Sequence, residues 1–101
     1  MLAGAEHRRV TRPSLEDVRT VSGSRARLVI PKPREDQRLV GTVEDGDDGV
    51  RLLVDGGEAA GAERFGIVRL RERDRDGVLR AYRGDDTLVG RVEHLSKLDE
   101  Q

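Results

Sequence analysis

Three stretches of the chain carry residue types that could do chemistry. Asp45, Asp47 and Asp48 are dense enough to suggest a calcium loop, in which oxygen ligands alternate along a tight turn. The spacing does not suit that role. Gly49 stands where a ligand belongs, and no bidentate glutamate follows at the required distance. A solvated hairpin turn is the expectation there. Gly56-Gly57-Glu58-Ala59-Ala60-Gly61 is glycine-rich but lacks the lysine and following hydroxyl of a phosphate loop. The two histidines are His7 and His94. No serine stands with a histidine and a carboxylate in a recognisable nucleophile context. His94 shares strand parity with Leu88 and Val92 and reads as a partly buried structural residue. These residues predict no catalytic centre, no metal and no cofactor, so the chain is expected to be non-enzymatic.

The stronger chemistry is that of arginine. Arg8, Arg9, Arg12, Arg25 and Arg27, joined by Lys32 and Arg34, make the first third of the chain basic. Residues 1–34 hold eight basic and three acidic side chains, residues 35–63 hold two and nine, and residues 64–101 hold nine and eight. The net charge of −1 therefore conceals a +5 segment beside a −7 segment. Arginine pairs bidentately with phosphate, and a basic arm adds affinity that is independent of sequence. Phe65 and Tyr82 are the whole aromatic complement. Single-strand recognition through stacked rings is therefore not expected, and any RNA contact is expected at the backbone or through duplex shape. Arg69, Arg71, Arg73 and Arg75 alternate with acidic residues and read as an ion-paired or solvated strand face. Val40 and Leu53 are apolar residues on the outer parity of their strands. They are expected either at a subunit or partner interface or beneath the N-terminal helix.

The elements that must position these residues follow from hydrophobic period. Residues 1–12 have no period and are expected to form a flexible basic arm. Pro13-Ser14-Leu15-Glu16-Asp17-Val18 predicts a helix over residues 14–21, capped by Ser14 with Asp17 three residues on. From Arg25 the pattern alternates, placing Ala26, Leu28 and Ile30 on one face. Further strands are expected around residues 39–44, 50–54, 65–70, 78–82 and 88–93. Turns fall at Arg34–Gln37, Gly46–Gly49, Asp76–Gly77 and Arg83–Asp86, and a small-residue loop spans 57–63. The strand at Phe65–Leu70 changes parity between Ile67 and Val68, which predicts a bulge or two-sided burial. Residues 13–95 are expected to form one domain and residues 96–101 a polar tail.

The hexapeptide pattern L-V-G-x-V-E occurs twice, at Leu39–Glu44 and Leu88–Glu93. A glycine within a strand pattern marks a bend or a close backbone approach, so the two copies are expected to be equivalent bent strands, each the second of a hairpin. With 101 residues the chain makes one small domain. Its 39% charged residues exceed the usual ~25% of soluble domains, yet the apolar residues cluster in pattern, which favours folding over disorder. There is no cysteine, no signal-peptide pattern is visible at the N-terminus, and no apolar run nears the ~18 residues of a membrane span, so a cytoplasmic location away from membranes is expected. The fold class read from these elements is all-β: a small barrel of about five to six short antiparallel strands with a short N-terminal helix.

Within that reading, Gly41-Thr42-Val43-Glu44-Asp45-Gly46-Asp47 followed by Val50, Leu52 and Val54 resembles the first motif of Sm-like proteins. Tyr82-Arg83-Gly84-Asp85-Asp86-Thr87-Leu88 resembles the second, in which an arginine–glycine pair introduces the last strand. Arg12-Pro13, the short helix and the strands to Gly57 are also similar to the SH3-like C-terminal barrel of the ribosome maturation factor RimP. The resemblance implies a strongly bent barrel, association of subunits into rings, and RNA against the motif loops, which adds Arg83 to the candidate contacts. Val50-Arg51 replaces the polar amide that Sm-like proteins carry after the acidic turn. The expected function is contact with RNA or a ribonucleoprotein through the arginine-rich arm and turns. The alternative is a protein–protein adaptor or a self-assembling homo-oligomer.

Overall fold

A computed structural model describes residues 9–57, 66–72 and 76–98. The chain runs as β1 (Arg9–Thr11), α1 (Leu15–Arg19), β2 (Arg25–Ile30), β3 (Gln37–Gly46), β4 (Gly49–Gly57), β5 (Ile67–Glu72), β6 (Leu79–Arg83), β7 (Leu88–Arg91) and β8 (His94–Lys97). All strands join one antiparallel sheet in the order β1-β8-β2-β3-β4-β5-β6-β7.

Alternation decides which side chains face inward. In β2 the buried residues are Ala26, Leu28 and Ile30, and the residues between them are half-buried on the other face. The same period places Leu39 and Val43 of β3, Val50 and Leu52 of β4, Val68 and Leu70 of β5, and Leu79 and Ala81 of β6 in a single aliphatic core. Burying each such Val or Leu contributes roughly 1.5–3 kcal/mol, so the core rests on many equal shares rather than one aromatic anchor. Helix α1 closes the concave face. Ser14 accepts from the Asp17 N–H (3.1 Å) while the Ser14 N–H donates to Asp17 Oδ2 (2.8 Å), forming the expected capping box. Val18 is fully buried, and the turn after the helix is tied to β3: the Gly23 N–H donates to the Val43 carbonyl (2.8 Å) and the Val43 N–H to the Ser24 carbonyl (3.0 Å). Such a short helix gains its stability from this packing.

The expected closed barrel of five to six strands is corrected to an open sheet of eight. Two strands come from the chain ends. Arg9–Thr11, expected within a flexible arm, pair with Ser96, Leu95 and His94. His94–Lys97, expected to run into the polar tail, pair with β1 on one side and β2 on the other. Leu95 is the reason: it faces Leu28 and Val10 and is 1% exposed, so an apparently polar segment carries one core residue that fixes its register. Because both sides of β8 are occupied, β7 has no ladder partner beyond β6, and β1 and β7 remain as edges. The break expected between Ile67 and Val68 is absent: β5 alternates evenly, with Val68 and Leu70 in and Ile67 out at 43% exposure.

Both hexapeptide copies are second strands of hairpins, β2–β3 and β6–β7, and both lie at register shifts. Val40 pairs with Gly56 and Gly41 with Val54, leaving Asp55 as the extra residue on β4. Ala81 pairs with Gly90 and Tyr82 with Leu88, leaving Val89 as the extra residue on β7. That bulge turns Val89 inward (6% exposed) and leaves Leu88 outward (52% exposed). It also brings Gly90 against β2, where an added Cβ would stand 2.5 Å from Ile30 Cγ2. Lys32 Nζ donates to the Val89 carbonyl across the same gap.

Candidate nucleic-acid interface

The outward residues of the sheet form rows, because antiparallel partners on one face stand directly opposite one another. One row reads Arg9, Ser96, Arg27, Val40, running across β1, β8, β2 and β3. The next carries Arg25, Thr42, Leu53 and Ile67. A third carries Glu44, Arg51, Arg69, Tyr82 and Leu88, and a fourth Arg71, Arg80 and Arg91. The convex face is therefore studded with arginine, including the direct like-charge pairs Arg51–Arg69, Arg71–Arg80 and Arg80–Arg91. Opposed like charges destabilise a sheet unless anions lie between them.

Carboxylates supply most of that neutralisation. Glu44 Oε1 takes Arg51 (2.9 Å to Nη2, 3.0 Å to Nε), and Asp86 Oδ1 takes Arg71 at 2.8 Å with Arg69 at 4.0 Å. Arg71 also lies 5.1 Å over the Tyr82 ring, so one face of that ring is covered by its neighbour. Asp76 Oδ2 takes Arg80 at 2.9 Å, and Glu93 Oε1 takes Arg91 at 3.2 Å. The hydrogen bond from Arg80, then that from the Val78 N–H, holds the Asp76 carboxyl below the ordinary aspartate value. Asp85, in the β6–β7 turn, is lowered likewise by hydrogen bonds from the Thr87 side chain and backbone.

The sequence-selected arginines separate into three places. Arg9 and Arg27 share the first row, and neither has an ion-pair partner among the described residues. Arg25 stands one row away, but its guanidinium is committed to Asp55, with Nη1 2.5 Å from Oδ2 and Nη2 3.0 Å from Oδ1. The bulge on β4 aims Asp55 at it. Arg12 lies at the elbow between β1 and α1, with Nε 3.9 Å from Glu93 Oε2. Arg83 is exposed at the end of β6, where the β6–β7 hairpin begins. Arg8 and His7 lie outside the described residues, as do the 58–63 part of the small-residue loop, Phe65 at the start of the expected fourth strand, and Arg73 and Arg75.

Val40 and Leu53 are half-buried on the convex face, whereas α1 packs against the inward side of the sheet. Helix cover is therefore not what shields them. Ile67 stands directly across from Leu53 and extends this apolar strip. His94 is half-buried, with Nδ1 3.3 Å from Thr11 Oγ1. Asp47 and Asp48 form a two-residue turn closed by Gly49 at φ +115°. Among the described residues no group of three or more His, Asp or Glu is placed to hold a metal ion. Nor is any described helix long and apolar enough to cross a membrane.

Sequence reasoning missed Ser96 as the spacer between Arg9 and Arg27, and missed Arg51, Arg80 and Arg91 as parts of the same face. The alternation of β4 and β6 does carry the parity of Arg51 and Arg80. The joining of β1 to β8, which assembles the first row, leaves no mark in local pattern. No protein-family model, no curated protein and no solved structure matches this chain.

Proposed function

We propose that this protein is a non-enzymatic binding module whose convex sheet face holds the phosphate backbone of duplex RNA, alone or within a ribonucleoprotein. The observation that carries the reading is the row Arg9–Ser96–Arg27. It holds two guanidiniums without ion-pair partners among the described residues, two strand spacings or about 10 Å apart, with a hydroxyl between them. Arginine left unneutralised on a face where its neighbours are neutralised is suited to an external anion. Tyr82 is half-buried and capped by Arg71, so the face offers phosphate contacts rather than a stacking platform. We also read β7 and β8 as one strand bent at Val92-Glu93, whose first half pairs with β6 and whose second half pairs with β2, in the manner of a small Sm-like or SH3-like barrel. The contact of Ile30 with Gly90 supports that closure.

The test is fluorescence anisotropy of a generic RNA duplex across a salt series. The expected result is binding at low salt, with log K falling linearly against log salt. Absence of binding at low salt overturns the reading. A second reading, contact with a protein partner or a second copy, is favoured by the Val40–Leu53–Ile67 strip, where Ile67 is 43% exposed. Sedimentation of the free protein tests its self-assembly form, for which a strict monomer at high concentration is the negative result.

A further inference from the structure

We propose that the seam between the two edges of the open sheet is a binding site for a small monocarboxylate with a short apolar tail. Edges β1 and β7 converge where the chain passes from β7 to β8. The Arg12 N–H donates to the Glu93 carbonyl (2.7 Å), and the Val92 N–H donates to the Leu79 carbonyl (2.9 Å). Between these attachments lies a cleft of about 250 Å³ lined by Arg12, Pro13, Gly77, Val78, Leu79, Arg91 and Val92. Its walls are apolar and firm: Leu79 and Val92 are almost fully buried and Pro13 is fully so. The volume is below the ~300–1,000 Å³ of pockets for drug-sized ligands, so the cleft suits a tail of a few carbons.

The polar end is equally defined. Glu93 is flanked by two guanidiniums, with Arg12 Nε 3.9 Å from Oε2 and Arg91 Nη2 3.2 Å from Oε1. Two cations against one carboxylate leave a single positive charge at the mouth, which matches a monoanion. The Glu93 side chain is only 23% exposed, whereas Arg12 and Arg91 are 84% and 58% exposed, so both guanidiniums can turn to a second carboxylate without unburying anything. Arg12 also adopts φ +54°, a left-handed conformation unusual for a non-glycine residue, and it is this conformation that sets the chain into Pro13 at the cleft wall. None of Arg9, Arg25 and Arg27 lines the cleft, so the proposal stands apart from RNA binding.

The experiment is a titration of the whole chain with 4-methylpentanoate, followed by amide shifts in NMR, beside identical titrations with 4-methylpentanamide and inorganic phosphate. The expected result is shift changes centred on residues 77–79 and 91–92, with a Kd on the order of 1 mM for a fragment of this size. Both the amide and phosphate should bind at least about fivefold more weakly, because each lacks one half of the recognised pattern. Arg91→Gln should weaken 4-methylpentanoate about fivefold, while Glu93→Gln, which removes the competing carboxylate, should tighten it by a similar factor. A fold defect would weaken binding in both variants and would not produce opposite signs. Val78→Asn, in the half-buried wall, should weaken the acid without altering its preference over the amide. A tripeptide ending in leucine distinguishes a chain terminus from a free acid as the natural source, according to which binds more tightly. Equal binding of acid and amide, or shift changes centred elsewhere, overturns the proposal.

Discussion

Replacing Gly41 by alanine probes a close backbone approach in the sheet. An added Cβ would press into the Leu53 carbonyl oxygen and stand 2.7 Å from the Leu53 carbonyl carbon and 2.9 Å from Val54 Cα. All three atoms are backbone of the neighbouring strand, in the ladder where β3 meets the β4 bulge, so no side-chain rotation can relieve the contact. Overpacking costs about 1–3 kcal/mol, and a rigid neighbour places Gly41→Ala near the upper end, about 3 kcal/mol, with Gly41→Val beyond it. At about 4–8 °C per kcal/mol for a domain of this size, Tm should fall by about 12–24 °C. Gly46→Ala is the control: no atom lies within 4 Å of its added Cβ, so its effect should stay within about 0.5 kcal/mol. Gly90→Ala should also be costly, because its added Cβ would stand 2.5 Å from Ile30 Cγ2, a methyl on the branched Cβ of a fully buried side chain. Urea denaturation followed by circular dichroism gives the three free energies. Equal stability of Gly41→Ala and Gly46→Ala would refute the close approach and the hairpin register built on it.

Ile67→Lys should change stability by no more than about 0.5 kcal/mol, whereas Val68→Lys should prevent folding, because a one-residue step crosses from the convex face to the core; urea denaturation checks both. Ser14→Ala removes the hydroxyl that accepts the Asp17 N–H and should cost about 1 kcal/mol, read as a shift in the urea midpoint. Asp76 and Asp85 have folded pKa values below the ordinary 3.8, so their contribution to stability is present above that value and disappears as pH falls through the lowered folded values. The double variant Asp76→Asn/Asp85→Asn should therefore lose stability less steeply below about pH 4 than the parent. Urea midpoints measured across that acid range decide the point.

Local pattern carried the helix, the parity of β2 to β4 and the place of both repeat glycines, because capping residues and alternation act over a few neighbours. Ser14 and Asp17 are three residues apart, and their reciprocal hydrogen bonds are legible in any sequence window that contains them. What remained hidden depends on contacts distant in the chain. Arg9–Thr11 become a strand only because β8 lies beside them, more than eighty residues later. His94–Lys97 carry a single inward apolar residue, Leu95, too little to announce a strand without its partner Leu28. The open form of the sheet has the same origin. Nothing in the hexapeptides tells that β8 is flanked on both sides and that β7 is left as an edge. The candidate face was legible in kind, as arginine, and in the ion-paired character of Arg69 and Arg71. It was not legible in membership. Of the residues chosen, Arg9 and Arg27 come together, Arg25 joins them already paired, and Arg12 and Arg83 stand elsewhere.

The central claim is that the row Arg9–Ser96–Arg27 contacts phosphate, and the salt dependence of RNA binding by Arg9→Gln/Arg27→Gln tests it most directly. Removing one phosphate-binding guanidinium should lower the slope of log K against log salt by about one unit, so the double variant should bind with a slope about two units shallower, while Arg83→Gln should leave the slope near its parent value. A double variant whose slope and affinity equal those of the parent protein would contradict the claim.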